Sequence, residues 1–90
     1  MHNHVGYVLL RKQHLFCEAI RKGGNMPCIL NAANEIVNKA FLEDRCGFLQ
    51  MADVIEQAMN TVSFDTNPDY DVYVATDKEA RRVAKELLKL

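Results

Sequence analysis

Apolar residues recur at helical spacing in four stretches of the chain, and turn-forming residues separate these stretches. The first stretch covers about residues 7–22 and stops at Gly23-Gly24. It is the least regular of the four, because Gln13 and His14 interrupt the apolar positions. We predict a first helix here, whose apolar side consists of Leu9, Leu10, Phe16, Cys17, Ala19 and Ile20.

The second stretch is clearer, because its apolar residues fall on one broad face of a helix that begins near Asn25. We expect Asn25 to cap this helix, and Pro27 to lie in the first turn, where its missing N–H has no partner to lose. The residues predicted to be buried are Ile29, Ala32, Ala33, Ile36, Val37, Ala40 and Phe41. Gly47 is predicted to take the left-handed conformation after the helix, and if it does, replacing it with Ala should cost about 1 kcal/mol.

Two further helices are predicted, with a polar loop over residues 63–75 between them. The third helix spans about residues 50–62 and has the most regular amphipathic pattern. Residues 70–74 alternate briefly and are expected to be extended, while Thr76 and Glu79 have the spacing of a capping box that opens the last helix. The predicted buried residues are Met51, Val54, Ile55, Ala58, Met59 and Val62 in the third helix, and Ala80, Val83, Ala84, Leu87 and Leu88 in the fourth.

Four amphipathic helices with short connections favour a small antiparallel four-helix bundle, an all-α fold. No internal repeat or long linker divides the sequence, so we expect residues 1–90 to form a single helical domain. A chain of this length buries only ~60–65% of the surface that its unfolded form exposes. Its stability is therefore expected to be small, and a partner would help to maintain the fold.

Charge and cysteine content narrow the possible functions. The net charge of −1 argues against nucleic-acid binding, because proteins that follow a phosphate backbone carry a clear basic excess. The apolar segment 6–10 is soon followed by two basic residues and is too short for a signal or membrane helix. Cys17, Cys28 and Cys46 are widely spaced and odd in number, as expected for reduced, buried thiols. We therefore expect a cytoplasmic protein with no nucleic-acid or membrane partner.

No complete catalytic or metal-binding motif is found in the sequence. The spacing of the four glycines cannot give the Gly-x-Gly-x-x-Gly turn of dinucleotide-binding domains, and no Ser or Cys lies in a nucleophile motif. Residues 65–71 begin like a calcium-binding loop, but Thr76 stands where a closing Glu is required. We interpret these residues as a solvated acidic loop, and a calcium sensor is kept as a third class of function. We assign no catalytic, cofactor-binding or metal-binding residue.

The second predicted helix carries an unusual polar stripe. Asn31, Asn34 and Asn38 lie along one side of it, beside Glu35. Asparagine is unfavourable inside a helix, because its amide competes for the backbone hydrogen bonds. Two interpretations stay open: a polar network that docks another domain or fixes the register of the helices, and a solvated edge. Asn31, Asn34, Glu35 and Asn38 are therefore candidate domain-docking or structural residues.

The same stretch resembles a known family. Residues 23–35, which read Gly-Gly-Asn-Met-Pro-Cys-Ile-Leu-Asn-Ala-Ala-Asn-Glu, resemble the start of the C-terminal helical domain of the 1-deoxy-D-xylulose 5-phosphate reductoisomerases. The similarity continues through Ala-Phe-Leu at 40–42 and through the final helix at 77–84. It covers about residues 17–90, whereas residues 1–16 match poorly.

The resemblance implies a supporting part in a longer enzyme. The family converts 1-deoxy-D-xylulose 5-phosphate to 2-C-methyl-D-erythritol 4-phosphate in non-mevalonate isoprenoid synthesis, with NADPH and a divalent metal, Mg or Mn. Its cofactor, metal and substrate sites lie in other domains, so no catalytic residue is carried over to this chain. The resemblance therefore predicts a domain that packs on the catalytic domain of the same enzyme and is inactive alone. The alternative is a free-standing helical interaction module that self-associates through exposed apolar surface.

Overall fold

The computed structural model describes residues 4–90, and this part of the chain contains four α-helices and no strand. The helices are α1 (His4–Lys22), α2 (Met26–Leu42), α3 (Gln50–Thr61) and α4 (Tyr70–Leu88). The prediction of an all-α fold with four helices is confirmed, while their antiparallel order stays a prediction. The central helix is α2, which packs on the other three, whereas α1 packs on α2 and α3 but not on α4.

The core lies along the apolar faces predicted for α2, α3 and α4. The predicted residues that are buried are Ile29, Ala32, Ala33, Ile36, Val37, Ala40, Met51, Val54, Ile55, Ala58, Val62, Ala80, Val83, Ala84 and Leu88. Met59 and Leu87 are partly buried against this core. Phe41 is 39% exposed instead, and its ring packs on Phe48 with the ring centroids 5.6 Å apart. Burying a Val, Leu or Ile side chain contributes ~1.5–3 kcal/mol, so this core is the main source of stability.

Helix α1 buries a different side from the predicted one. Val8, Leu15 and Ala19 are buried, whereas five of the predicted residues are exposed: Leu9, Leu10, Phe16, Cys17 and Ile20. The prediction was wrong because apolar residues occupy two neighbouring stripes of this helix, and periodicity alone does not decide which stripe faces the core. The rotation of α1 is fixed in part by Arg11, whose guanidinium donates a hydrogen bond to the Asp53 carboxylate on α3.

Helix α4 begins at Tyr70, well before the predicted start at Thr76. Asp69 is its N-cap, and the Asp69 carboxylate accepts a hydrogen bond of 2.9 Å from the backbone N–H of Val72. Residues 70–74 are therefore helical rather than extended. The predicted capping box is also wrong, because Thr76 lies inside α4 and is buried. The true N-cap was hidden among the several Asp and Asn residues of the preceding loop.

The end of α2 differs from the prediction as well. The helix ends at Leu42, and the residue that turns into the left-handed region after it is Asp44, with φ of 59°. Gly47 has no positive φ, and a Cβ added there would meet no atom within 4 Å. The predicted left-handed conformation of Gly47 was therefore wrong, and the reason for expecting a cost on replacing it with Ala does not apply. Asp44 can take this role because Asp and Asn tolerate left-handed backbone better than most residues.

Candidate functional site

The turn between α1 and α2 brings the start of α2 against the loop that precedes α4. Gly23 and Gly24 are both left-handed, with φ of 70° and 55°. Gly24 lies so close to the backbone carbonyl of Asp65 that a Cβ there would overlap the carbonyl oxygen. The backbone N–H of Asn25 donates to the same carbonyl at 3.0 Å. The glycine pair is therefore required both by the backbone conformation and by this close approach.

The side chain of Asn25 joins three parts of the chain. It is buried and only 1% exposed. Asn25 is the N-cap residue of α2, as predicted, but its side chain makes no capping hydrogen bond. Its Nδ2 donates to the Ser63 carbonyl and to the Thr76 hydroxyl, both at 2.9 Å, and its Oδ1 accepts from the Asp65 N–H at 2.8 Å. Sequence reasoning missed this network because its partners are 38 to 51 residues away along the chain. The only local signal was an Asn directly after two glycines.

Two of the candidate stripe residues, Asn31 and Glu35, face outward from α2. The Asn31 amide donates to the Glu35 carboxylate at 3.3 Å, and Glu35 also accepts from Arg81 of α4 at 2.9 Å. The hydrogen bonds to Asp77 and Glu35 raise the pKa of the Arg81 guanidinium above its ordinary value. These groups are solvated, so each ion pair contributes only ~0–1 kcal/mol. Here the stripe joins α2 to α4 by one surface ion pair, between Glu35 and Arg81.

The other two stripe residues, Asn34 and Asn38, face α1. The Asn38 Oδ1 accepts a hydrogen bond of 3.1 Å from the Lys12 ammonium, and burial lowers the pKa of Lys12. The Asn34 Oδ1 is buried and has no hydrogen-bond partner among the described residues. It lies beside a cleft of about 250 Å³, lined by Lys12, Gln13, Phe16, Leu30, Asn34 and Ile55. Buried polar atoms are normally hydrogen-bonded, so the Asn34 Oδ1 is an unused acceptor at this cleft.

The acidic side chains do not gather into a metal centre. Within residues 4–90, no group of three or more His, Cys, Asp or Glu side chains could hold a metal ion. In the acidic loop, the Asp65 carboxylate accepts from the Asn67 N–H at 2.8 Å, and the Asp69 carboxylate caps α4. These carboxylates therefore organise the backbone of the loop. The same part of the chain holds no helix long and apolar enough to cross a membrane.

The three cysteines are free thiols in three different environments. Cys46 is buried and Cys28 is half-buried, and burial raises the pKa of both thiols. Cys17 is exposed, which contradicts the prediction of a buried thiol. It lies on the side of α1 that was wrongly predicted to face the core.

Comparison with known proteins gives a consistent result. The family model described as the DXP reductoisomerase C-terminal domain matches residues 10–83. The 1-deoxy-D-xylulose 5-phosphate reductoisomerase of Bacteroides fragilis is 59% identical over 78 residues, which are 87% of this chain and 20% of that protein. The same enzyme of Bacteroides thetaiotaomicron is 58% identical over 78 residues, again 87% of this chain and 20% of the relative. That of Acetivibrio thermocellus is 40% identical over 72 residues, 80% of this chain and 19% of the relative. The chain thus spans about a fifth of the length of the curated relatives it matches.

Proposed function

Because the chain belongs to the family of DXP reductoisomerase C-terminal domains, as the resemblance predicted, we propose that it is a supporting domain of a 1-deoxy-D-xylulose 5-phosphate reductoisomerase. In this role it packs on the catalytic domain of the enzyme and helps to hold it in place. The observation that carries the proposal is the extent of the similarity, since most of this chain aligns with only a fifth of each relative.

The cofactors of the whole enzyme are part of the proposal, but none is assigned to this chain. The enzyme would use NADPH and Mg or Mn to convert 1-deoxy-D-xylulose 5-phosphate to 2-C-methyl-D-erythritol 4-phosphate in the cytoplasm. The described residues do not fit the metal, because they contain no cluster of three or more ligating side chains. The glycine spacing does not fit a dinucleotide either. No step of the reaction is therefore placed on these residues.

The contribution of this chain would be a rigid surface. Helices α2, α3 and α4 share one apolar core, and Asn25 bonds the α3–α4 loop to the start of α2. Rigid helices hold a neighbouring element in position more accurately than loops do. The stripe residues Asn31, Asn34, Glu35 and Asn38 stay candidates for docking or for fixing the helix register. The contact of Asn38 with α1 and that of Glu35 with α4 support the second role for these two residues.

A segment exchange tests the proposal. In the Bacteroides fragilis enzyme, the part similar to this chain is replaced by the corresponding residues of this chain, and NADPH oxidation is measured with 1-deoxy-D-xylulose 5-phosphate and Mg²⁺ or Mn²⁺. We expect turnover from the chimera and none from the isolated chain. The parent enzyme without this segment is the control and should be inactive. Turnover by the isolated chain, or a folded chimera without activity, would contradict the proposal.

A second candidate function is self-association as a free-standing interaction module. It is favoured by the large apolar side chains that α1 exposes, namely Val5, Tyr7, Leu9, Leu10, Phe16 and Ile20. Sedimentation of the purified chain at micromolar concentration tests it. A tight dimer supports self-association, whereas a monomer supports a partner other than a second copy.

A further inference from the structure

Helix α1 has two apolar stripes, and only one of them is covered. Val5, Leu9, Phe16 and Ile20 are spaced by four and seven residues, so they share one stripe of the helix. Each of these side chains is 53 to 60% exposed. Single exposed apolar residues are ordinary, but a row of large ones on one helix indicates an interaction surface. We call these four residues the outer stripe.

The outer stripe borders the cleft that contains Asn34. Phe16 belongs to both, since it is part of the outer stripe and also lines the cleft. Leu30 and Ile55 make the deeper part of the cleft apolar. The Asn34 Oδ1 is a buried acceptor without a partner among the described residues, and the Lys12 ammonium, which lines the same cleft, donates to Asn38 and not to Asn34. The cleft therefore calls for an apolar group together with an N–H or O–H donor.

The relatives indicate which partner supplies these groups. In them, the segment similar to this chain is the C-terminal domain and about a fifth of the protein, so the other four-fifths precede it. The family match begins at residue 10, so that larger part joins the domain at or before α1, the first helix. A covalently connected partner has a high effective concentration, which favours it over a free molecule for the same face. The helix closest to it in sequence also carries the uncovered apolar stripe.

We propose that the outer stripe and the Asn34 cleft form the docking surface for the preceding part of a DXP reductoisomerase. The partner covers the stripe with apolar side chains and donates one N–H or O–H to the Asn34 Oδ1. This inference rests on the proposed function and adds the surface and the chemistry of the contact. The apolar stripe supplies the buried area. The single donor fixes the register, as one buried polar residue does in a coiled coil.

Hydrogen exchange on the chimera tests the surface. We expect the α1 amides to exchange at least about tenfold more slowly in the chimera than in the isolated chain, because docking suppresses local opening. Replacing Phe16 and Ile20 together by Glu should abolish this protection. The matched control is Val74→Glu on α4, where the side chain is 52% exposed and α4 does not contact α1. This control should leave the protection unchanged.

A second variant, Asn34→Leu, should stabilise the isolated chain but weaken the docking of α1 in the chimera. In the isolated chain it removes the acceptor without a partner, so the melting temperature should rise. In the chimera it removes the acceptor of the proposed bond, so the protection of α1 should fall.

Several outcomes would overturn the inference. One is that the α1 amides exchange equally fast in the chimera and in the isolated chain. Another is that Val74→Glu removes as much protection as the double substitution of Phe16 and Ile20. A third is that Asn34→Leu increases the protection of α1 in the chimera. Protection of α1 that grows with the concentration of the isolated chain would also overturn it, by assigning the surface to a second copy. An active chimera with unprotected α1 refutes the surface but not the proposed function. An inactive, folded chimera with protected α1 supports the surface and refutes the proposed function.

Discussion

Asn25 and Asn34 are both asparagines of the α2 region, but their amides have opposite surroundings. Asn25 bonds to the Ser63 carbonyl, the Thr76 hydroxyl and the Asp65 N–H. Asn34 keeps a buried oxygen that no described residue serves. A buried polar group with its bonds formed stabilises the folded chain, whereas the same group without a partner costs free energy. The comparison separates a residue that holds this domain together from one that suits an additional partner.

The largest expected effect is that of Asn25→Leu. It leaves a carbonyl, a hydroxyl and an N–H without their partner, so the free energy of unfolding should fall by about 3 kcal/mol. Urea denaturation measures the loss. Asn60→Leu on an exposed position of α3 is the control and should change stability by less than ~0.5 kcal/mol. Equal effects of the two substitutions would show that the Asn25 bonds contribute nothing net.

Two glycine substitutions test the turn that places Asn25, and a third, at Gly47, serves as the control. Gly24→Ala should cost about 2–3 kcal/mol, because it combines positive φ with overlap on the Asp65 carbonyl. Gly23→Ala should cost about 1 kcal/mol, since its φ is positive but the surrounding space is open. Gly47→Ala should change stability by less than ~0.5 kcal/mol. Thermal unfolding of the three variants should follow this order, and a Gly47 effect as large as that of Gly24 would contradict it.

Asn34→Leu should act in the opposite direction from Asn25→Leu. It removes a buried acceptor without a partner and adds apolar volume beside Leu30 and Ile55, so the isolated chain should gain about 1 kcal/mol. The midpoint of urea denaturation measures the gain. Asn31→Leu, on the exposed side of the same helix, is the matched control and should be close to neutral. A clear loss of stability in Asn34→Leu would mean that this amide is satisfied in solution.

The smallest expected effect concerns Cys46. Its buried thiol makes one hydrogen bond, and so lies between Asn25, which makes three, and the Asn34 oxygen, which makes none. Its S–H donates to the Gly47 carbonyl at 3.3 Å, and burial raises the pKa of the thiol above its ordinary value near 9. Because the folded state disfavours the thiolate, this contribution to stability is present below pH 9 and is lost as the pH rises through the folded pKa. Stability should therefore fall slightly as the pH rises above about 9. A Cys46→Val variant should show a smaller fall, and an unchanged fall would assign it to another group.

The sequence predicted the features that depend on neighbouring residues. The spacing of residues such as Ile29, Val37 and Val54 identified the buried faces of α2 and α3, because these faces follow from helical periodicity alone. The rotation of α1 was not predictable in this way, since it depends on contacts with distant parts of the chain, among them that of Arg11 with Asp53 across 42 residues. The start of α4 was missed because Asp69 is one of several residues able to cap a helix.

The candidate site was predictable only in part. The three asparagines of α2 were recognised as unusual from helix propensity, yet propensity does not show which of them turns toward α1. Asn38 meets Lys12 and Asn34 meets an apolar cleft only because α1 lies beside α2 in the folded chain. For Asn25 only a capping role was predicted. Its bonds to Ser63 and Thr76 were missed because these partners are distant in sequence.

The central claim is that this domain supports a larger enzyme by docking on it, and calorimetry of the chimera tests that most directly. If the domain is docked, its unfolding is linked to that of the rest, because the interface is lost when either part unfolds. We therefore predict that the domain melts at a higher temperature in the chimera than alone, in one shared transition. Two independent transitions, with the domain melting at the temperature of the isolated chain, would contradict the account.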